Sequence, residues 1–178
     1  MLQPKQITVN CKVGSRAQNL AELTLELQQK GARGGFIELF VKVQWFTQSS
    51  TQGKEVIMSL QSIYREMFSQ FIHELVEFPE KPEGWLEISD IDQKSFLLFR
   101  RIASEPDTII LDGGSREGGI DSRYLVDLAD DEVSGNELSQ RRYLGHWFIG
   151  VAFQGILLTN AETARLAQEL QDFLASGD

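Results

Sequence analysis

Two periodicities divide this chain. Between Glu55 and Phe78, the residues Ile57, Leu60, Tyr64, Met67, Phe68, Phe71, Leu75 and Phe78 recur at helical spacing, with Ser59, Ser62, Glu66, Ser69, Gln70 and His73 on the opposite side. This pattern predicts one long amphipathic helix that spans a sheet and seeds the core. Earlier segments alternate instead. Ile7, Val9, Cys11 and Val13 are interleaved with Thr8, Asn10 and Lys12, while Ile37, Leu39, Val41, Val43 and Trp45 oppose Glu38, Lys42 and Gln44. Each reads as a strand with one face on the core and one in water, which places Cys11 inside.

The remaining pattern fills in around these segments. A helix is expected from Ser15 to Lys30, with Leu20, Leu23 and Leu27 as its stripe and Gly31 as its stop. Pro79 and Pro82 end the long helix, and Trp85, Leu86 and Ile88 form a brief strand. Ser89 and Asp90 read as starters of a third helix over Ile91–Ser104, burying Leu98, Phe99 and Ile102. Thr108 to Leu111 is a short strand ending in Asp112, followed by the glycine-rich stretch to Gly119. Tyr124, Val126 and Leu128 suggest another strand, and Glu137–Tyr143 a short helix. The apolar stretch Gly145–Leu158 reads as a buried central strand, and Thr159 with Glu162 as a capping box opening a last helix to about Ala175. No internal repeat is evident.

Interleaved strands and helices admit a three-layer α/β fold, but the polar faces of the first strands would not survive in a parallel sheet covered on both sides. The expectation is therefore α+β: two layers, a mixed or mainly antiparallel sheet, and helices mostly on one face. At 178 residues and 42% hydrophobic, residues 1–178 should form one globular domain that buries roughly two-thirds of its unfolded surface.

Charge and cysteine content narrow the function. A net charge of −9 argues against a dedicated nucleic-acid binder. The basic residues are uneven, however, with seven in residues 1–54 against three acidic ones, so a mildly positive N-terminal third faces a strongly acidic remainder. Cys11 is the lone cysteine, and the first residues lack the apolar run of a secretion signal. A cytoplasmic setting and no membrane contact are the expectation.

The candidate ligand site is the loop after the 108–111 strand: Asp112, Gly113, Gly114, Ser115 and Arg116. Glycines there would let backbone N–H groups approach a small anionic or phosphorylated ligand. The motif lacks the lysine of a phosphate-binding loop, since none follows Lys94, and Arg116 breaks the dinucleotide fingerprint. Asp112, Gly114 and Gly118 match only part of the first motif of class I methyltransferases. A surface turn is the plainer reading. Arg100, Arg101, Arg116, Arg123, Arg141 and Arg142 would make an anion pocket if they converged, and ordinary surface pairs if they did not.

Other chemistry is thinner. His73 and Glu74 lack the second histidine of a zinc-protease helix, and His146 beside Trp147 reads as a partly buried histidine. Asp90 and Asp92 lack the glycine and terminal glutamate of a calcium loop, and Asp127, Asp130, Asp131 and Glu132 read as a solvated acidic loop. With no nucleophile, metal set or cofactor motif assigned, the expectation is a non-catalytic domain that binds a protein partner or itself. The alternative is a small-molecule binder or enzyme using the Asp112 loop.

Overall fold

The computed structural model describes residues 4–13, 19–31, 35–45, 54–101, 103–115, 126–127, 142–143, 146–147 and 150–176. Strands β1 (Lys5–Val13), β2 (Asn19–Lys30), β3 (Phe36–Trp45) and β4 (Lys54–Tyr64) lead into helix α1 (Arg65–Glu77). A 3₁₀ turn (Phe78–Glu80) precedes β5 (Gly84–Ser89), β6 (Ser95–Arg101) and β7 (Thr108–Ser115). Three two-residue strands follow: β8 (Val126–Asp127), β9 (Arg142–Tyr143) and β10 (His146–Trp147). The chain closes with β11 (Gly150–Thr159) and α2 (Asn160–Ala175). The main sheet runs β4-β3-β2-β1-β11-β7-β6-β5, and every pairing along that path is antiparallel. This is an α+β arrangement, and the antiparallel path removes the α/β alternative.

Set aside β8 to β10, and the order is four strands and a helix, twice over. The contacts repeat with the halves exchanged. Helix α1 lies against β3 and β4 of its own half and β5 of the other; α2 lies against β7 and β11 of its own half and β1 of the other. β4 carries a one-residue register shift with Ser62 (φ 58°) inside it, and β11 carries two, the second with Gly155 (φ 81°) inside it. The two halves are joined at two corners. One is the β1–β11 bridge at Lys12 and Leu157; at the other, Ile91 N–H donates to Ser62 O at 3.3 Å, just beyond β5.

The inward residues of both halves form a single cluster. Ile7, Val9, Cys11 and Val13 of β1 and Ile37, Leu39, Val41, Val43 and Trp45 of β3 all point into it, as the alternation requires. They meet Phe68, Phe71, Ile72 and Leu75 of α1 and Leu166, Ala167, Leu170 and Phe173 of α2. The capping box of α2 is present, with Thr159 and Glu162 exchanging side-chain and backbone bonds. Side chains lace the halves together. Lys5 Nζ donates to Glu169 O at 2.9 Å, Arg165 Nη2 to Thr8 O at 2.7 Å and Arg65 Nη2 to Leu174 O at 2.9 Å.

Several expected elements are corrected. The helix over Ser15–Lys30 is strand β2 from Asn19: Ala21, Leu23, Leu25 and Leu27 are buried, while Leu20 is 74% exposed. Pairing on both edges, with β1 and β3, overrides the helical preference of its leucines and glutamates. The long helix over Glu55–Phe78 is half strand, its period switching at Tyr64. The helix over Ile91–Ser104 is strand β6; Leu98 and Phe99 are buried as expected, and Ile102 lies outside the described residues. Asp90 is no helix starter. Its carboxylate accepts from Lys94 N–H at 2.7 Å and Ser95 N–H at 3.2 Å, closing the β5–β6 hairpin around Gln93 at φ 55°. Arg142 and Tyr143 are strand, not the end of a helix, and residues 137–141 lie outside the described ones. The buried strand expected from Gly145 begins at Gly150 and is central, between β1 and β7.

Candidate functional site

The glycine-rich stretch is the first place to look, and it is strand. β7 continues through Ser115, so Asp112, Gly113, Gly114 and Ser115 are paired with β6 on one side, and Gly113, Gly114 and Ser115 with β11 on the other. Arg116 and the residues to Gly119 lie outside the described ones. Asp112 is 3% exposed; its Oδ2 accepts from Arg100 Nε at 2.9 Å and its Oδ1 from the Gly155 N–H at 2.8 Å. The carboxylate thus satisfies the amide that the β11 shift turns out of the ladder. Gly113 is a packing glycine. A Cβ there would sit 2.5 Å from Met58 Sδ and 2.5 Å from Phe153 Cζ. Asp112 thus makes an ion pair and Gly113 a close strand contact, and the stretch expected as a loop is strand from Asp112 to Ser115.

The arginines do not converge either, so far as they are described. Arg100 and Arg101 are neighbours on β6 and therefore point to opposite faces. Arg100 pairs with Asp112, whereas Arg101 donates to Asn160 Oδ1 at 2.7 Å and to Pro106 O, tying the β6–β7 turn to the start of α2. Arg116, Arg123 and Arg141 lie outside the described residues.

Other expected chemistry is placed as follows. His73 is exposed on α1, with Nε2 4.0 Å from Glu77 Oε1, as its polar-face position requires. It borders an open groove of about 460 Å³ between the helices, lined also by Ser69, Ile72, Gln171 and Leu174. A smaller groove of about 160 Å³ separates Met67 and Phe71 of α1 from Leu86 and Ile88 of β5. Ser69 and His73 both line the larger groove, one helical turn apart on α1. Cys11 is 3% exposed, and burial pushes its thiol pKa up to about 12, so it is protonated at neutral pH. Among the described residues, no three His, Cys, Asp or Glu side chains come together to hold a metal ion. No helix among them is long and apolar enough to cross a membrane.

What stands out is the outer face of β1–β4. Gln6, Asn10, Lys12, Leu20, Glu22, Glu26, Phe40, Glu55 and Ile57 are all exposed on it, so four adjacent strands present one side to water. Two ion pairs lie on it. Lys30 pairs with Glu38 at 3.3 Å and Lys42 with Glu55 at 3.2 Å, and Lys5 is bonded to α2, so three of the basic residues of the N-terminal third are engaged within the fold. Phe40 (38% exposed) lies opposite Ser59, and Ile57 (62% exposed) opposite Lys42, which makes the two diagonal neighbours beside the outermost strand. Among the described residues that strand, β4, pairs in the sheet with β3 alone.

Phe40 was the legible signal, an aromatic on the otherwise polar side of the cleanest alternation in the chain. The β4 edge was hidden because its residues also fit a helix. Together the features define a twice-repeated ββββα protein with one open sheet face. Comparison with protein-family models, characterised proteins and solved structures finds no match for this chain.

Proposed function

We propose that this chain is a non-catalytic protein-binding domain that acts through the open face of β1–β4 and the edge of β4. The observation that carries this reading is the pair Phe40 and Ile57, apolar and exposed beside a strand that, among the described residues, pairs on one side only. Edge strands are the usual place for a partner to add its own strand, since main-chain groups supply affinity and alternate side chains supply selectivity. In this reading residues 1–178 work as one unit, the helices forming a layer behind the sheet, and the buried thiol suits a cytoplasmic setting. Nucleic acid is disfavoured by the net charge of −9 and the paired Lys30 and Lys42, and an anionic ligand by the strand pairing of Gly113 to Ser115 on both sides.

The test is site-specific photo-cross-linking with a benzophenone analogue placed at position 40, and at His73 on α1 as control. Discrete cross-linked protein bands from position 40 alone are expected. A diffuse ladder identical at both positions would remove the reading.

A further inference from the structure

The groove of about 160 Å³ between α1 and β5 combines an apolar floor with an acidic border. Phe71, Leu86 and Ile88 are buried at its base, and Met67 forms one wall while remaining 46% exposed. A methionine over such a floor is an adaptable surface, because its unbranched thioether re-packs around what enters. Small-molecule pockets start at roughly 300 Å³. This groove is below that size and has room for a single aliphatic side chain.

Charge around the groove is one-sided. Residues 66–89 carry Glu66, Glu74, Glu77, Glu80, Glu83 and Glu87 against Lys81 alone, so five of the chain's nine net negative charges fall in this stretch. Glu74 and Glu87 line the groove itself. With 3.6 residues per turn, Glu66, Gln70, Glu74 and Glu77 make the stripe of α1 next to Met67. Among the described residues, Glu66, Glu80 and Glu83 form no ion pair, while Glu74 accepts from Gln70 at 3.1 Å and Glu77 lies 4.0 Å from His73. Arg65, at the start of α1, is bonded to α2, and Lys81 lies over the Phe78 ring at 6.0 Å. The fold supplies little counter-charge here.

Going beyond the β1–β4 reading and independent of it, we infer that the α1–β5 groove binds a basic segment of a partner protein. One aliphatic residue of that segment seats against Met67 and Phe71, and lysines or arginines on either side of it face the glutamates. The charges steer encounter and exclude acidic partners, while the buried anchor holds the complex. Exposed ion pairs contribute little each, so the anchor decides the affinity, and the complex is weak and salt-sensitive.

A fluorescein-labelled peptide with one leucine between two pairs of lysines, titrated with the full chain and followed by anisotropy, tests this. Amide chemical shifts locate the contact. Saturable binding that weakens as salt is raised is expected, with shifts confined to residues 67–74 and 86–89. Serine in place of the leucine should weaken binding roughly tenfold, the order set by burying one aliphatic side chain. Met67→Lys, which puts a positive charge in the groove wall, should do the same with circular dichroism unchanged. Val76→Lys, exposed on the opposite side of α1, should leave binding in place. Equal affinity for the leucine and serine peptides would reduce the groove to a charged surface and overturn the anchor. Absent binding, shifts elsewhere, or equal loss in both variants would overturn the site. Groove shifts that grow with protein concentration before any peptide is added would make a second copy the occupant and overturn the basic partner. Cross-linking from position 40 tests the β1–β4 face separately and is untouched by any of these results.

Discussion

Asp112 shows how a residue that looks like chemistry can be structure. Its carboxylate sits between a guanidinium and an amide, both drawn from neighbouring strands. Removing it takes an acceptor from the buried Gly155 N–H and the ion-pair partner from the half-buried Arg100. Asp112→Ala should cost about 3 kcal/mol in urea unfolding, and Asp112→Asn, which keeps an oxygen for Gly155, less. Cys11 makes the opposite point, a reactive group made inert. Its thiol is protonated in the folded chain up to about pH 12, whereas the unfolded thiol ionises near its ordinary value of 9.0. The stability tied to it is therefore whole below pH 9.0 and falls as pH rises towards 12. Wild type should lose up to about 1.4 kcal/mol per pH unit more than Cys11→Ala in that window, measured by denaturant titration. Iodoacetamide should leave the folded chain unlabelled at pH 8, labelling it only in urea.

At the scale of elements, legibility followed how many periods a segment could satisfy. β1 and β3 fit only alternation, and both were readable together with their buried sides. α2 was readable to its cap, because Thr159 and Glu162 are a local signal that tertiary context does not alter. β2 and β4 satisfied both periods. In β2 the exposed Leu20 fits a helical stripe with Leu23 and Leu27, whereas the buried Leu25 fits only alternation. In β4 the switch to helix at Tyr64 has no glycine or proline to mark it; Ser62 takes the left-handed conformation instead. The stretch after Asp112 reads as a loop for a related reason and is strand as far as Ser115. Glycines that suggest a cradle for an anion serve here to let β7 approach Met58 and Phe153. The open face was half legible: its polarity could be read, but the edge beside it required knowing that β4 is a strand.

For the whole molecule, the decisive fact is that neither half completes its own core. α1 needs β5 and α2 needs β1, and the cluster of buried residues draws on both. Separately produced segments 1–82 and 83–178 should each lack a cooperative thermal transition and near-ultraviolet circular dichroism. Mixed at equal concentration they should recover both. Independent folding of either segment would show that the halves are merely adjacent.

The crossing of the helices has a last consequence, for gene architecture. The end of α1 leads through a short turn into β5, and α2 runs back alongside the start of β1, close enough for Lys5 to reach Glu169. A circularly permuted chain, opened between α1 and β5 and sewn from α2 to β1 by a brief linker, keeps every neighbour it had. Which half is translated first is then a matter of ancestry rather than of physics.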